Sequence, residues 1–154
     1  MKQFLFAYGT LQPPKAPPEI RGVLKVLRPV GNAMAAGQLF DLGDYPGAVF
    51  DEQAKTTVKG MVFRLPGNSE SSRRLLAEID LYEGVNASDV PRSLFVRRKI
   101  RAVLRSGRDL DCWAYEYNRP VSQLNPIFDG LYIGPRQHRR TSSKRLQRQS
   151  RVIL

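Results

Sequence analysis

Two extended runs, Phe95 to Leu104 and residues 110–117, constrain this chain more than any other feature. In the first, Phe95, Arg97, Lys99 and Arg101 alternate with Val96, Arg98, Ile100 and Ala102. That two-residue period marks a half-exposed strand, with a slip near Arg98. Ser106-Gly107-Arg108-Asp109 is a hairpin turn, so the second run returns beside the first. Further strands are expected at Phe4-Leu5-Phe6-Ala7, at 33–42 with Gly37 as a bend or bulge, at 48–50 and at 58–65. Two helices interrupt them. Residues 19–27 carry Ile20, Val23, Leu24 and Leu27 at helical spacing, with Pro29 and Gly31 ending the run. A second helix begins at Asn68 or Ser69, has Leu75, Leu76 and Ile79 as its apolar stripe, and stops at Gly84. About six strands with short connections predict an α+β chain: a small, mostly antiparallel β-barrel with flanking helices.

Length and charge narrow the organisation. A chain of 154 residues suits one domain, here 1–135. Of the net charge of +11, residues 136–154 hold +7 and no acid, leaving +4 for the rest. We read 136–154 as a basic, flexible tail. A nucleic acid or an acidic surface is a conceivable partner through phosphate contacts. A solvated extension is the simpler reading, because the tail lacks the interleaved aromatics of a single-strand binder. No apolar run is long enough to span a membrane, and Met1-Lys2-Gln3 leads directly into strand sequence, which points to a cytoplasmic protein. Cys112 has no partner for a disulfide and reads as a packing residue. The single histidine, His138, lies in the tail, so neither a histidine triad nor a zinc site is expected in the body. No glycine-rich phosphate loop is present.

Two segments carry the candidate chemistry. Tyr8-Gly9-Thr10-Leu11 follows the first strand. A glycine there lets the chain turn sharply, and consecutive amides can then converge on an anion; an ordinary strand end is the alternative. Glu83 stands at the C-terminal end of the second helix, between Tyr82 and Gly84. The negative helix end and partial burial both favour the protonated carboxyl, which suits a group that takes and returns a proton. A solvated glutamate at a frayed helix end is the plain alternative. Glu78 and Asp80 are expected to be solvated or paired with Arg73 and Arg74.

Tyr8–Leu11, the Leu42-Gly43-Asp44-Tyr45-Pro46-Gly47 turn, Ile79-Asp80-Leu81-Tyr82-Glu83-Gly84 and Tyr115-Glu116-Tyr117-Asn118 occur in that order. Together they resemble the gamma-glutamylcyclotransferase-like, or AIG2-like, family over about residues 3–119. The resemblance implies a small barrel with flanking helices and a small gamma-glutamyl amine or peptide as substrate. It also implies that Tyr8, Gly9, Thr10 and Leu11 hold the substrate and that Glu83 is the general acid and base. Release of 5-oxoproline would need no metal or organic cofactor. Tyr115 or Tyr117 would line the pocket, or serve as core aromatics. A binding domain without turnover is the alternative function. Two positions depart from the family pattern: the proline-rich stretch 13–18 follows the loop, and Phe95 stands where many relatives carry a tyrosine.

Overall fold

A computed structural model describes residues 2–9 and 16–134. The expected tail, 136–154, lies outside them.

Strand β1 (Phe4–Ala7) is followed by helix α1 (Pro18–Leu24), then by β2 (Arg28–Asp41), β3 (Pro46–Phe50) and β4 (Thr57–Arg64). Helix α2 (Ser69–Glu83) precedes a 3-10 turn at Val90–Arg92, and β5 (Phe95–Leu104), β6 (Asp109–Tyr117) and β7 (Asn125–Ile127) complete the order. The sheet runs β3-β2-β4-β1-β6-β5, and β2 also pairs β5 through Ala33↔Leu104 and Met34↔Val103. Strands β2, β4, β1, β6 and β5 therefore close on themselves as a five-stranded barrel. All pairings are antiparallel except β1 beside β6, where Leu5 is level with Trp113. The predicted α+β barrel with two helices is the fold observed.

Two apolar layers hold it. Phe6, Tyr8, Val62, Ile100, Ala102, Cys112 and Ala114 fill the barrel. Leu5, Phe63, Phe95 and Tyr115 face outward and meet Ile20 and Leu24 of α1 and Leu75, Leu76 and Ile79 of α2. Each such buried aliphatic side chain contributes about 1.5–3 kcal/mol. The two layers explain the slip in β5. Phe95 is buried under the helices, whereas Ile100, Ala102 and Leu104 are buried inside the barrel, on the opposite parity. Arg98, at the changeover, donates to Glu116 Oε2 at 2.7 Å and to the Phe50 carbonyl at 3.0 Å. Glu116 also accepts from the Phe50 amide at 2.8 Å, clasping β3 to the barrel.

Three boundaries differ from expectation. Helix α1 ends at Leu24, and Pro29 and Gly31 fall inside β2, where the β2–β4 register shifts between them. Proline fits there because a bulge tolerates a missing ladder donor. Gly37, expected as a bend or bulge, is where β2 passes from its ladder with β4, ending at Ala36↔Thr57, to its ladder with β3, starting at Gly37↔Phe50. Strand β7 lies in a stretch expected to be loop; it is three residues long and carries Pro126, so it has no periodicity to read.

Close approach is demanded at Gly60 of β4. A Cβ there would lie 2.4 Å from the Ala7 carbonyl oxygen and 2.9 Å from Phe6 Cζ. The absent side chain lets β4 press against the end of β1, which leads into Tyr8.

Candidate active site

Local sequence places Glu83. Asn68 caps α2, its side chain accepting from the amides of Glu70 at 2.8 Å and Ser71 at 3.2 Å. At the other end Gly84 adopts the left-handed conformation (φ 74°, ψ 30°), which glycine enters without steric cost. The Val85 amide bonds back to the Asp80 carbonyl at 3.0 Å and the Gly84 amide to Leu81 at 3.3 Å, a Schellman-type stop. The helix ends in one defined turn rather than fraying, and Glu83 in that turn is 0% exposed.

Strand β1 delivers Tyr8 to the same region. Its ring is buried, edge-on to Phe50 at 5.8 Å. Its hydroxyl donates to the Tyr115 carbonyl at 2.5 Å and accepts from the Ala48 amide at 3.2 Å. Tyr8 thus straps β1 to β6 and β3. Burial pushes its phenol far above the usual range, and the charges of Glu83 and Glu116 add to that shift. Glu83 is therefore within electrostatic reach of the end of β1. Gly9 is buried next to Tyr8. Thr10 and Leu11, the other amides of the expected cradle, lie outside the described residues, as do Pro13 and Pro14.

Tyr115 of β6 is wholly buried. Its hydroxyl donates to Asp80 Oδ1 at 2.6 Å and lies 3.5 Å from the Leu76 carbonyl. Burial raises this phenol's pKa first, and Asp80 second. Asp80 also faces Arg97 of β5, with Nε at 3.4 Å. Asp80, expected to be solvated or paired with Arg73 and Arg74, has Tyr115 and Arg97 as its partners. Arg74 instead bonds Glu70, one turn away, at 2.8 Å.

An aromatic wall stands beside these groups. Phe95 is wholly buried, 5.5 Å from Tyr117 in a T-shaped contact and 6.5 Å from Tyr45. The Tyr45-Pro46-Gly47 turn leans on that wall, since a Cβ on Gly47 would meet Tyr117 Cβ at 3.0 Å. Tyr45 was legible in sequence only as part of a turn. Cys112 is buried, its thiol pushed up to about 12 by desolvation, so it packs as expected rather than acting as a thiolate. Among the described residues no cluster of His, Cys, Asp and Glu is arranged to hold a metal ion. No helix among them is long and apolar enough to cross a membrane.

Asp44, in the turn between β2 and β3, has both carboxylate oxygens shut from solvent without a hydrogen-bond partner among the described residues. Its backbone carbonyl accepts from the Tyr132 hydroxyl at 2.8 Å. Burial raises its carboxyl above the ordinary value of 3.8, so the folded chain holds that proton more tightly than the unfolded chain. The stability this group contributes is fully present below its unfolded pKa and is lost as pH rises through the raised folded value. Asp44→Asn is expected to raise the Tm at neutral pH and to flatten the fall in stability above pH 3.8, measured by thermal melts across pH.

The family described as "Gamma-glutamyl cyclotransferase, AIG2-like" matches residues 5–133. Among solved structures, the ytfP protein of Escherichia coli is 27% identical, with a TM-score of 0.55 and coverage of 86% of this chain and 96% of that one. An AIG2-like protein from Mus musculus has a TM-score of 0.61 at 16% identity, covering 88% and 97%. A structure described as gamma-glutamyl cyclotransferase has a TM-score of 0.52 at 12% identity, covering 82% and 70%. No curated protein matches the chain.

Proposed function

Since the chain belongs to the AIG2-like gamma-glutamyl cyclotransferase family, we propose that it cyclises a small gamma-glutamyl amine or peptide and releases 5-oxoproline. One observation carries the reading: a fully buried carboxylate, Glu83, ends a tightly capped helix within electrostatic reach of the residue that begins the Tyr8–Leu11 loop.

The substrate's alpha-carboxylate is held by loop amides that include Gly9. Glu83 takes a proton from the alpha-ammonium. The freed nitrogen attacks the side-chain carbonyl, a new carbon–nitrogen bond closes the five-membered lactam, and the bond to the departing amine breaks. Glu83 returns its proton to that amine, and the second proton, shed by the new lactam nitrogen, leaves with the amine as its ammonium. The attacking and attacked atoms share one molecule, so holding one conformer supplies much of the rate; effective molarities for oriented pairs reach about 10⁵ M or more. The apolar wall of Tyr45, Phe95 and Tyr117 limits water near the reacting amide.

The test is a panel of gamma-glutamyl amines and dipeptides incubated with the protein, with 5-oxoproline followed by chromatography. At least one member is expected to be consumed with equimolar release of its amine. Thermal stabilisation by panel members without any 5-oxoproline would instead identify a binding domain.

A further inference from the structure

Tyr115 is bonded to both halves of the candidate site. Its backbone carbonyl accepts from the Tyr8 hydroxyl at 2.5 Å, at the root of the loop. Its own hydroxyl donates to Asp80 at 2.6 Å, three residues before Glu83. Three residues is nearly one helical turn, so whatever fixes Asp80 fixes the turn that carries Glu83. Asp80 is held a second time by Arg97, and the Arg97 guanidinium lies 4.7 Å from the Trp113 ring centroid. Trp113 in turn donates to Gln3 Oε1 at 2.9 Å, next to β1. Strands β5 and β6 thus both grip the C-terminal turn of α2 through Asp80, and Gln3, just ahead of β1, braces the Trp113 ring behind Arg97.

We propose that Tyr115, with Asp80 and Arg97, is a positioning clamp that sets Glu83 against the Tyr8–Gly9 loop. Tyr115 acts through Asp80, and its phenol proton is already committed there rather than to a ligand. The proposal rests on the function above for its kinetic consequence, not for its structural one.

Tyr115→Phe removes a single oxygen and keeps the ring that packs in the core. Displacing a reacting group by about 1 Å costs on the order of 10²-fold in rate. Tyr115→Phe and Asp80→Ala are each expected to lower kcat by about that factor while KM moves less than about threefold. The double variant is expected to be no worse than Asp80→Ala alone, because Asp80→Ala already removes the bond that Tyr115→Phe removes. Asp80→Asn keeps an oxygen acceptor for the phenol and is expected to recover most of the loss.

A second readout needs no substrate. The Gly84 and Val85 amides close the helix stop. In Tyr115→Phe their hydrogen exchange is expected to speed up by about tenfold, with the first turns of α2 unchanged. Faster exchange in a protein whose wild type makes no 5-oxoproline would overturn the enzymatic reading and leave the clamp standing. Unchanged exchange, or faster exchange with unaltered kcat, would overturn the clamp. Losses that add in the double variant would overturn it as well.

Discussion

Glu83→Gln is expected to cut kcat for 5-oxoproline release by about 10²–10⁴-fold, the usual worth of a positioned general acid and base. The amide has the shape of the carboxyl and cannot take the ammonium proton. Glu83 is 0% exposed, and replacement by a neutral isostere keeps the packing of the capped turn. The Tm is therefore expected to stay close to wild type, and a substrate of the wild type should still protect the variant against thermal unfolding. Turnover equal to wild type would remove Glu83 from the mechanism. Loss of both turnover and folding would be read from the melt, and Glu83→Asp would then separate the two, because it keeps the charge and shortens the reach.

Gly60→Ala is expected to combine a stability loss with a functional one. The added Cβ would meet the Ala7 carbonyl oxygen at 2.4 Å. That oxygen belongs to backbone and cannot swing aside as a flexible side-chain tip would. Ala7 lies opposite Met61 in the β1–β4 ladder, so the ladder itself has to open. Overpacking of this kind costs about 1–3 kcal/mol, or a Tm lower by about 2–12 °C in a chain of this size. The strain falls one residue before Tyr8, whose hydroxyl spans β6 and β3. Activity per folded molecule is therefore expected to drop as well. Gly67→Ala is the control: no heavy atom lies within 4 Å of its added Cβ, and it should leave both quantities nearly unchanged.

Particular elements show how much could be read in advance. Strand β1 was legible to the residue because four apolar positions are bounded by polar sequence and a glycine turn. The hairpin β5–β6 and helix α2 were legible because turn and cap residues sit at their ends. The α1–β2 boundary was misplaced because Pro29 and Gly31 signal an interruption in a strand as readily as a stop in a helix. The slip in β5 was visible, yet its cause was not. It needs one face covered by helices and the other by a closed barrel, and neither exists until distant strands meet.

The site divides the same way. Sequence alone put Glu83 at a helix end and Tyr8 at a strand end, because caps and turns are local events governed by residues a few positions apart. It also supplied the order of motifs on which the family likeness rests. What the hydroxyls of Tyr8 and Tyr115 bind was decided by tertiary structure, as was the partner of Asp80. Those bonds join positions 107, 35 and 17 residues apart. A hydrogen bond or ion pair requires contact within a few ångströms, and only closure of the barrel with α2 laid across it brings such distant residues to that range.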